Sequence, residues 1–124
     1  MHYPNDLHYT NSHEWFRETE NGFEVGLTSY AQESLGDLVF VNLPQPGDIV
    51  TVGSRFCDVE SVKAVSDVYS PVTGVISEVN QLLLDTPELI NQSPYDAWFI
   101  RVNNVTEKTQ WLDAAAYEAF VKED

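Results

Sequence analysis

Apolar residues along the chain fall mostly in short alternating stretches separated by turn-forming residues, the period-two signature of half-buried strands. Phe23, Val25 and Leu27 alternate with Glu24 and Gly26. Asn21-Gly22 just before them is the dipeptide that most readily takes positive φ at both central positions of a tight hairpin, which places Trp15 and Phe16 on the partner strand. Positions 38–43 form an almost continuous apolar run ended by Pro44, Pro46 and Gly47, which predicts a buried strand running into a turn. Further strands are predicted over 49–52, 55–60, 65–69, 74–79 and 98–102.

Helical signals are few. Ser29 and Gln32 have capping-box spacing and Gly36 supplies a permissive residue at the far end, which predicts a helix of about two turns. Thr86-Pro87-Glu88 reads as a brief helical turn starting at Pro87. Asp113 can cap a helix over 114–122, with Ala116, Tyr117, Phe120 and Val121 on one face, that closes one end of the sheet structure. The fold class is therefore mostly β, with short helices and a C-terminal helix.

At an offset of 27 residues, Val41, Pro44, Gly47, Ile49 and Val52 coincide with Val68, Pro71, Gly74, Ile76 and Val79. The two segments look like copies of one strand-turn-strand unit. Chance matching among common apolar residues is the alternative, against which the shared Pro and Gly at turn positions weigh. The midpoint between the copies lies near Ser61 and Lys63.

Composition narrows the function. Twenty Asp plus Glu against six Lys plus Arg give a net charge of −14, which excludes binding to nucleic acid or to an anionic membrane through phosphate neutralisation. Hydrophobic residues make up 43% of the 124, enough for a core and too many for a disordered chain. No apolar run approaches the roughly 18 residues of a membrane span. The first residues lack the charge and apolar stretch of a signal peptide. The expected location is the cytoplasm, or the mitochondrial matrix if a transit peptide has been removed.

Cys57 is the single cysteine, so an internal disulfide and a thiolate metal cluster are excluded, and it reads as a small buried hydrophobe. Asn91-Gln92-Ser93 and Asn104-Val105-Thr106 match a glycosylation acceptor, a pattern with meaning only in a secreted chain. Ser12-His13-Glu14 cannot form a catalytic triad, because three consecutive side chains do not converge in an extended backbone. His2, His8 and His13 lack a helical i, i+4 pair for a metal, and are expected to be solvated.

The lysines are Lys63, Lys108 and Lys122, the last two expected in or near the C-terminal helix. Around Lys63 the apolar parity changes, from odd positions Cys57 and Val59 to even positions Val62, Ala64 and Val68, which marks a bend. No Gly, Pro or Asn announces a turn there. Pattern alone leaves two readings open: a strand lysine solvated or paired with Glu60 or Asp67, or a lysine displayed for chemistry.

Ser12-His13-Glu14-Trp15, the stretch from Gly26-Leu27-Thr28-Ser29-Tyr30 through Gly36-Asp37-Leu38 to Val41, and Glu60-Ser61-Val62-Lys63-Ala64 running on to Pro71 resemble the H protein of the glycine cleavage system. The likeness runs in order from about Tyr9 to Phe120. It implies one lipoyl-carrier domain over 1–124, a barrel-sandwich hybrid of two small antiparallel sheets related by a pseudo-twofold axis. Lys63 would stand at a hairpin tip and carry lipoic acid as N6-lipoyl-lysine. Glu60, Ser61, Val62 and Ala64 would present it to a lipoate ligase or lipoyltransferase. The absence of methionines beside Lys63 argues against the related biotin carriers.

The resemblance further implies a non-catalytic carrier that takes an aminomethyl group from the pyridoxal-phosphate-dependent glycine decarboxylase (P protein). It would deliver that group to the tetrahydrofolate-dependent aminomethyltransferase (T protein), and electrons to dihydrolipoamide dehydrogenase (L protein). Ser12, Glu14 and Asp67 match positions lining a groove that shelters the loaded arm, and Leu35 is a candidate apolar contact; no catalytic or metal-binding residue is implied. The alternative within the same resemblance is an H-like relay that donates lipoate to 2-oxoacid dehydrogenases. The chain departs from the family pattern around Ser93 to Trp98, where Ala97 replaces a glycine in a slightly shorter loop. A shuttle that exposes its arm to several enzymes is expected to be a monomer, and its acidic surface calls for partners with basic rims.

Overall fold

The structure, a computed structural model, describes residues 2–122. Its strands in chain order are β1 (His8–Tyr9), β2 (Glu14–Thr19), β3 (Gly22–Leu27), β4 (Leu38–Asn42), β5 (Ile49–Val50), β6 (Arg55–Ser61), β7 (Val65–Tyr69), β8 (Val72–Val79) and β9 (Ile100–Lys108). The helices are α1 (Ser29–Leu35), α2 (Leu82–Asp85), α3 (Leu89–Gln92) and α4 (Ala114–Lys122). Two antiparallel sheets result, one ordered β1-β2-β3-β9-β8-β5 and the other β4-β6-β7. Their inward faces bury Phe16, Val25, Val41, Val59, Val68, Ile76, Phe99 and Val102 in one core.

The sequence echo is a structural repeat. Shifted by 27 positions, β4 lands on β7, and these two strands flank β6 on either side. Each copy then crosses to the larger sheet, where β5 pairs with β8: Ile49 faces Val75, while Ile76 N–H donates to the Asp48 carbonyl at 2.9 Å. The same contact is thus made twice with the copies exchanged, as a pseudo-twofold axis requires. The midpoint residues 61–64 become the connection at the end of β6 and β7.

A ladder of charges crosses the outer face of the larger sheet, where the nearly buried Glu24 receives Arg17 at 2.8 Å and Arg101 at 2.9 Å, and Arg101 continues to Glu78 at 3.0 Å. The strand register places these side chains directly opposite one another, so two arginines share the desolvated carboxylate. A second core of Leu7, Tyr9, Trp15, Ala114 and Tyr117 lies under α4, which closes that end of the sheet. Asp113 caps α4 by accepting from Ala116 N–H at 2.8 Å.

Several local expectations are corrected. Thr19 pairs with Gly22, so Glu20 and Asn21 form the turn, and only Gly22 takes positive φ, at 110°. The cap of α1 is Thr28, one residue before the predicted Ser29, and it accepts from Ala31 N–H at 3.1 Å. β4 is half exposed, with Val39 and Phe40 facing solvent, because it lies at the edge of a three-stranded sheet. Ala116 is exposed and Ala114 takes its place on the inner face of α4. Gly74 lies inside β8 rather than in a turn. α2 carries no sequence signal that marked it, α3 starts two residues beyond Pro87, and β9 runs on to Lys108, which is therefore a strand residue. At Ala97 the backbone needs no positive φ, and Ser93 closes the loop by accepting from both Asp96 and Ala97 N–H at 3.0 Å.

Candidate functional site

Lys63 occupies the tip of the β6–β7 hairpin. Ser61 N–H donates to the Ala64 carbonyl at 2.8 Å, leaving Val62 and Lys63 as the turn. The turn forms without Gly, Pro or Asn because the Ser61 hydroxyl accepts from Lys63 N–H at 3.2 Å and Ala64 N–H at 3.0 Å. That side chain does locally what a left-handed residue does elsewhere, and it explains why the parity change had no conventional punctuation. Val62, Lys63, Ala64 and Val65 are exposed, as is Glu60.

Among the described residues Lys63 makes no ion pair, and Asp67 turns instead to Arg55 at 3.9 Å. The other lysines are engaged. Lys108 places its amine 5.5 Å from the Phe23 ring and 5.7 Å from that of Trp111. Lys122 pairs with Glu118 at 3.1 Å. The Lys63 stem lies over Gly36, the C-cap of α1 at φ 84°, with Cε 3.5 Å from where a Cβ would stand.

Beside this platform lies a groove of about 150 Å³ between α1, the segment before β2, and β7. Leu27, Ala31 and Leu35 supply apolar wall, Ser12, Ser34 and Ser66 supply hydroxyls, and Asp67 contributes its carboxylate, its side chain about half exposed. Ser12, Asp67 and Leu35 are thus brought together. Glu14 lies beneath the groove instead of lining it. It is 1% exposed, and its Oε1 accepts from Ser12 at 2.6 Å and Thr10 at 2.7 Å, while Oε2 accepts from Tyr69 N–H at 3.2 Å. Glu14 therefore fastens the Ser12 loop to the end of β7, the strand that carries Asp67.

Burial pushes the Glu14 carboxyl above its ordinary pKa, opposed by the hydrogen bonds from Ser12, Thr10 and the Tyr69 amide. A carboxyl whose folded pKa exceeds the unfolded one stabilises the fold fully below about pH 4.3 and loses that contribution as pH rises through the folded value. The Tm advantage of wild type over Glu14→Gln, which cannot titrate, should therefore shrink as pH rises above about 4.3. Thermal melts of both proteins at increasing pH check this, and a gap that stays flat or widens contradicts it.

Sequence reasoning placed no groove role on His13, Tyr30 or Ser34, yet all three line it. His13 is not simply solvated, since its Nδ1 and the buried Tyr117 hydroxyl share a hydrogen bond of 2.7 Å, and Tyr117 in turn meets Thr28 at 2.8 Å. That ring is committed to Tyr117, and Ser12 gives its proton to Glu14, so His13 does not activate Ser12 as a nucleophile. Among the described residues no group of three His, Cys, Asp or Glu could hold a metal. Cys57 is buried, and burial raises its thiol pKa, which leaves it inert. The arrangement can display one amine and shelter a small adduct beside it.

Comparison with known proteins agrees with this geometry. A family model described as Glycine cleavage H-protein matches residues 7–124. The Glycine cleavage system H protein of Lachnoclostridium phytofermentans is 59% identical over 120 residues, covering 96% of this chain and 94% of that one. That of Shewanella baltica is 49% identical over 125 residues, covering 98% and 97%. The crystal structure of a glycine cleavage system H protein from Mycobacterium marinum superposes with a TM-score of 0.91 at 39% identity, covering 97% of this chain and 99% of that one. The barrel-sandwich fold, the repeat and the displayed lysine fall into place together: the chain belongs to the glycine cleavage H-protein family.

Proposed function

We propose that Lys63 is the lipoyl attachment point of this chain and that residues 1–124 act as one carrier domain. The lipoyl-carrier role itself, within the glycine cleavage system, follows from the family. The observation that carries the finer assignment is the exposed Lys63 amine, without an ion pair among the described residues, at a hairpin tip midway between the two copies of the repeat. The surroundings fit a lipoyl group. The lysine stem packs across Gly36, and the neighbouring groove joins apolar wall to a single carboxylate, Asp67.

When bound, the group would supply a redox-active disulfide able to carry a one-carbon amine unit and two electrons. The chain's own residues do the rest. Lys63 holds the arm clear of the surface so that several enzymes can reach it. Leu27, Ala31 and Leu35 exclude water from a cationic aminomethyl cargo, and Asp67 offers the negative charge that favours it. Glu14 keeps Ser12 and β7 in register from below. Glu60, Ser61, Val62 and Ala64 shape the tip for the ligase or lipoyltransferase. Its partners in the bacterial cytoplasm are the glycine decarboxylase, the aminomethyltransferase and dihydrolipoamide dehydrogenase.

Asp67→Asn tests the groove. With a half-exposed charge removed, glycine cleavage should fall about two- to fivefold, while lipoylation of Lys63 by a ligase stays within about twofold of wild type, because a relay needs the lysine and not the groove. Equal losses in the two assays would refute the sheltering role.

A further inference from the structure

Asn91 enters the sequence only through an unused N-x-S triplet, yet in the fold its amide is fully employed. Oδ1 accepts from Leu38 N–H at 2.9 Å, and Nδ2 donates to the Gly36 carbonyl and to Gln32 Oε1, both at 2.9 Å. The orientation of the amide is set by its partners, because a backbone N–H can only donate and a backbone carbonyl can only accept. The two gripped backbone groups lie on either side of Asp37. The Asp37 carbonyl in turn accepts from Val62 N–H at 3.0 Å, immediately before Lys63. The strip 36–38 also pairs with the hairpin through Leu38 and Ser61, and carries the Lys63 stem over Gly36.

We propose that Asn91 is a positioning residue for Lys63: by holding Gly36 and Leu38 it fixes the Asp37 carbonyl that seats the hairpin tip, and so sets the direction in which the amine leaves the surface. This rests on Lys63 being the attachment lysine. The tip needs such a brace, because its residues from Val62 to Val65 are exposed and bury nothing that would hold them. Asparagine suits the position for a stated reason. Aspartate could accept from Leu38 but not donate to Gly36, and alanine could do neither.

The test compares wild type, Asn91→Asp and Asn91→Ala by amide hydrogen exchange and by lipoate-ligase kinetics on the full chain. In Asn91→Ala, exchange at Leu38 and Val62 should quicken about tenfold, with Val25 in β3 unchanged. Asn91→Asp should fall between the two. The ligase KM should rise several-fold with kcat near wild type, because only a fraction of tip orientations remains competent. Should Asn91→Ala not fold, Gln32→Ala, which removes one of the three contacts, should give the same pattern at smaller size. Unchanged exchange at Val62, or equal acceleration at Val25, would overturn the proposal. A wild type that the ligase leaves unmodified would instead sink the attachment assignment, and the exchange data would still decide the brace.

Discussion

Lys63→Arg is expected to remove lipoyl attachment and all dependent glycine turnover while leaving Tm within about 2 °C of wild type. Attachment needs the neutral amine as nucleophile. A guanidinium, with a pKa roughly three units above that of an ammonium, offers about a thousandfold less neutral base at the same pH before its poorer geometry is counted. The substitution costs little in the fold because Lys63 is exposed and makes no ion pair among the described residues. Compensation by another lysine is not expected, since Lys108 lies in strand β9 and Lys122 in helix α4, neither of them at a hairpin tip. Reconstituted glycine cleavage together with a thermal melt checks both halves, and substantial turnover by the arginine variant would contradict the assignment.

The second large effect is on stability. Gly47 and Gly74 are equivalent in the repeat, but only one of them is a turn glycine. Gly47 has φ 95° with nothing within 4 Å of where a Cβ would stand, so Gly47→Ala should cost about 1 kcal/mol from the left-handed backbone alone. Gly74 lies where β8 crosses β9, and a Cβ there would stand 2.6 Å from the Asn103 carbonyl oxygen and 2.6 Å from Val102 Cγ1. Backbone cannot yield as a side-chain tip can, so Gly74→Ala should cost about 3 kcal/mol, a large part of the stability of a small domain. Denaturant midpoints of the two variants give the comparison. Equal costs would mean that the β8–β9 contact is softer than the structure indicates.

The contrast shows what the sequence could and could not carry. The repeat was legible because apolar spacing and turn residues recur at one offset, and the bounds of β7 and α4 matched because Pro71 follows the first and Asp113 caps the second. The reason for each glycine was not legible, since a positive φ and a close approach of backbone leave the same letter. The hairpin tip was visible only as a parity change, because its turn is made by the Ser61 hydroxyl. The cap at Thr28 was missed by one position, as Thr28 and Ser29 are chemically equivalent until the backbone is seen. In the site, Ser12, Asp67 and Leu35 line one groove, while the depth of Glu14 and the grip of Asn91 depend on long-range contacts that no local pattern encodes.

The most direct test is an intact mass and peptide map of the full chain after incubation with lipoate, ATP and an active lipoate ligase. One lipoyl increment, mapped to the peptide containing Lys63 and absent from Lys63→Arg, is the expected result. A chain that stays unmodified while a control acceptor is lipoylated, or an adduct found on Lys108 or Lys122, would contradict the account.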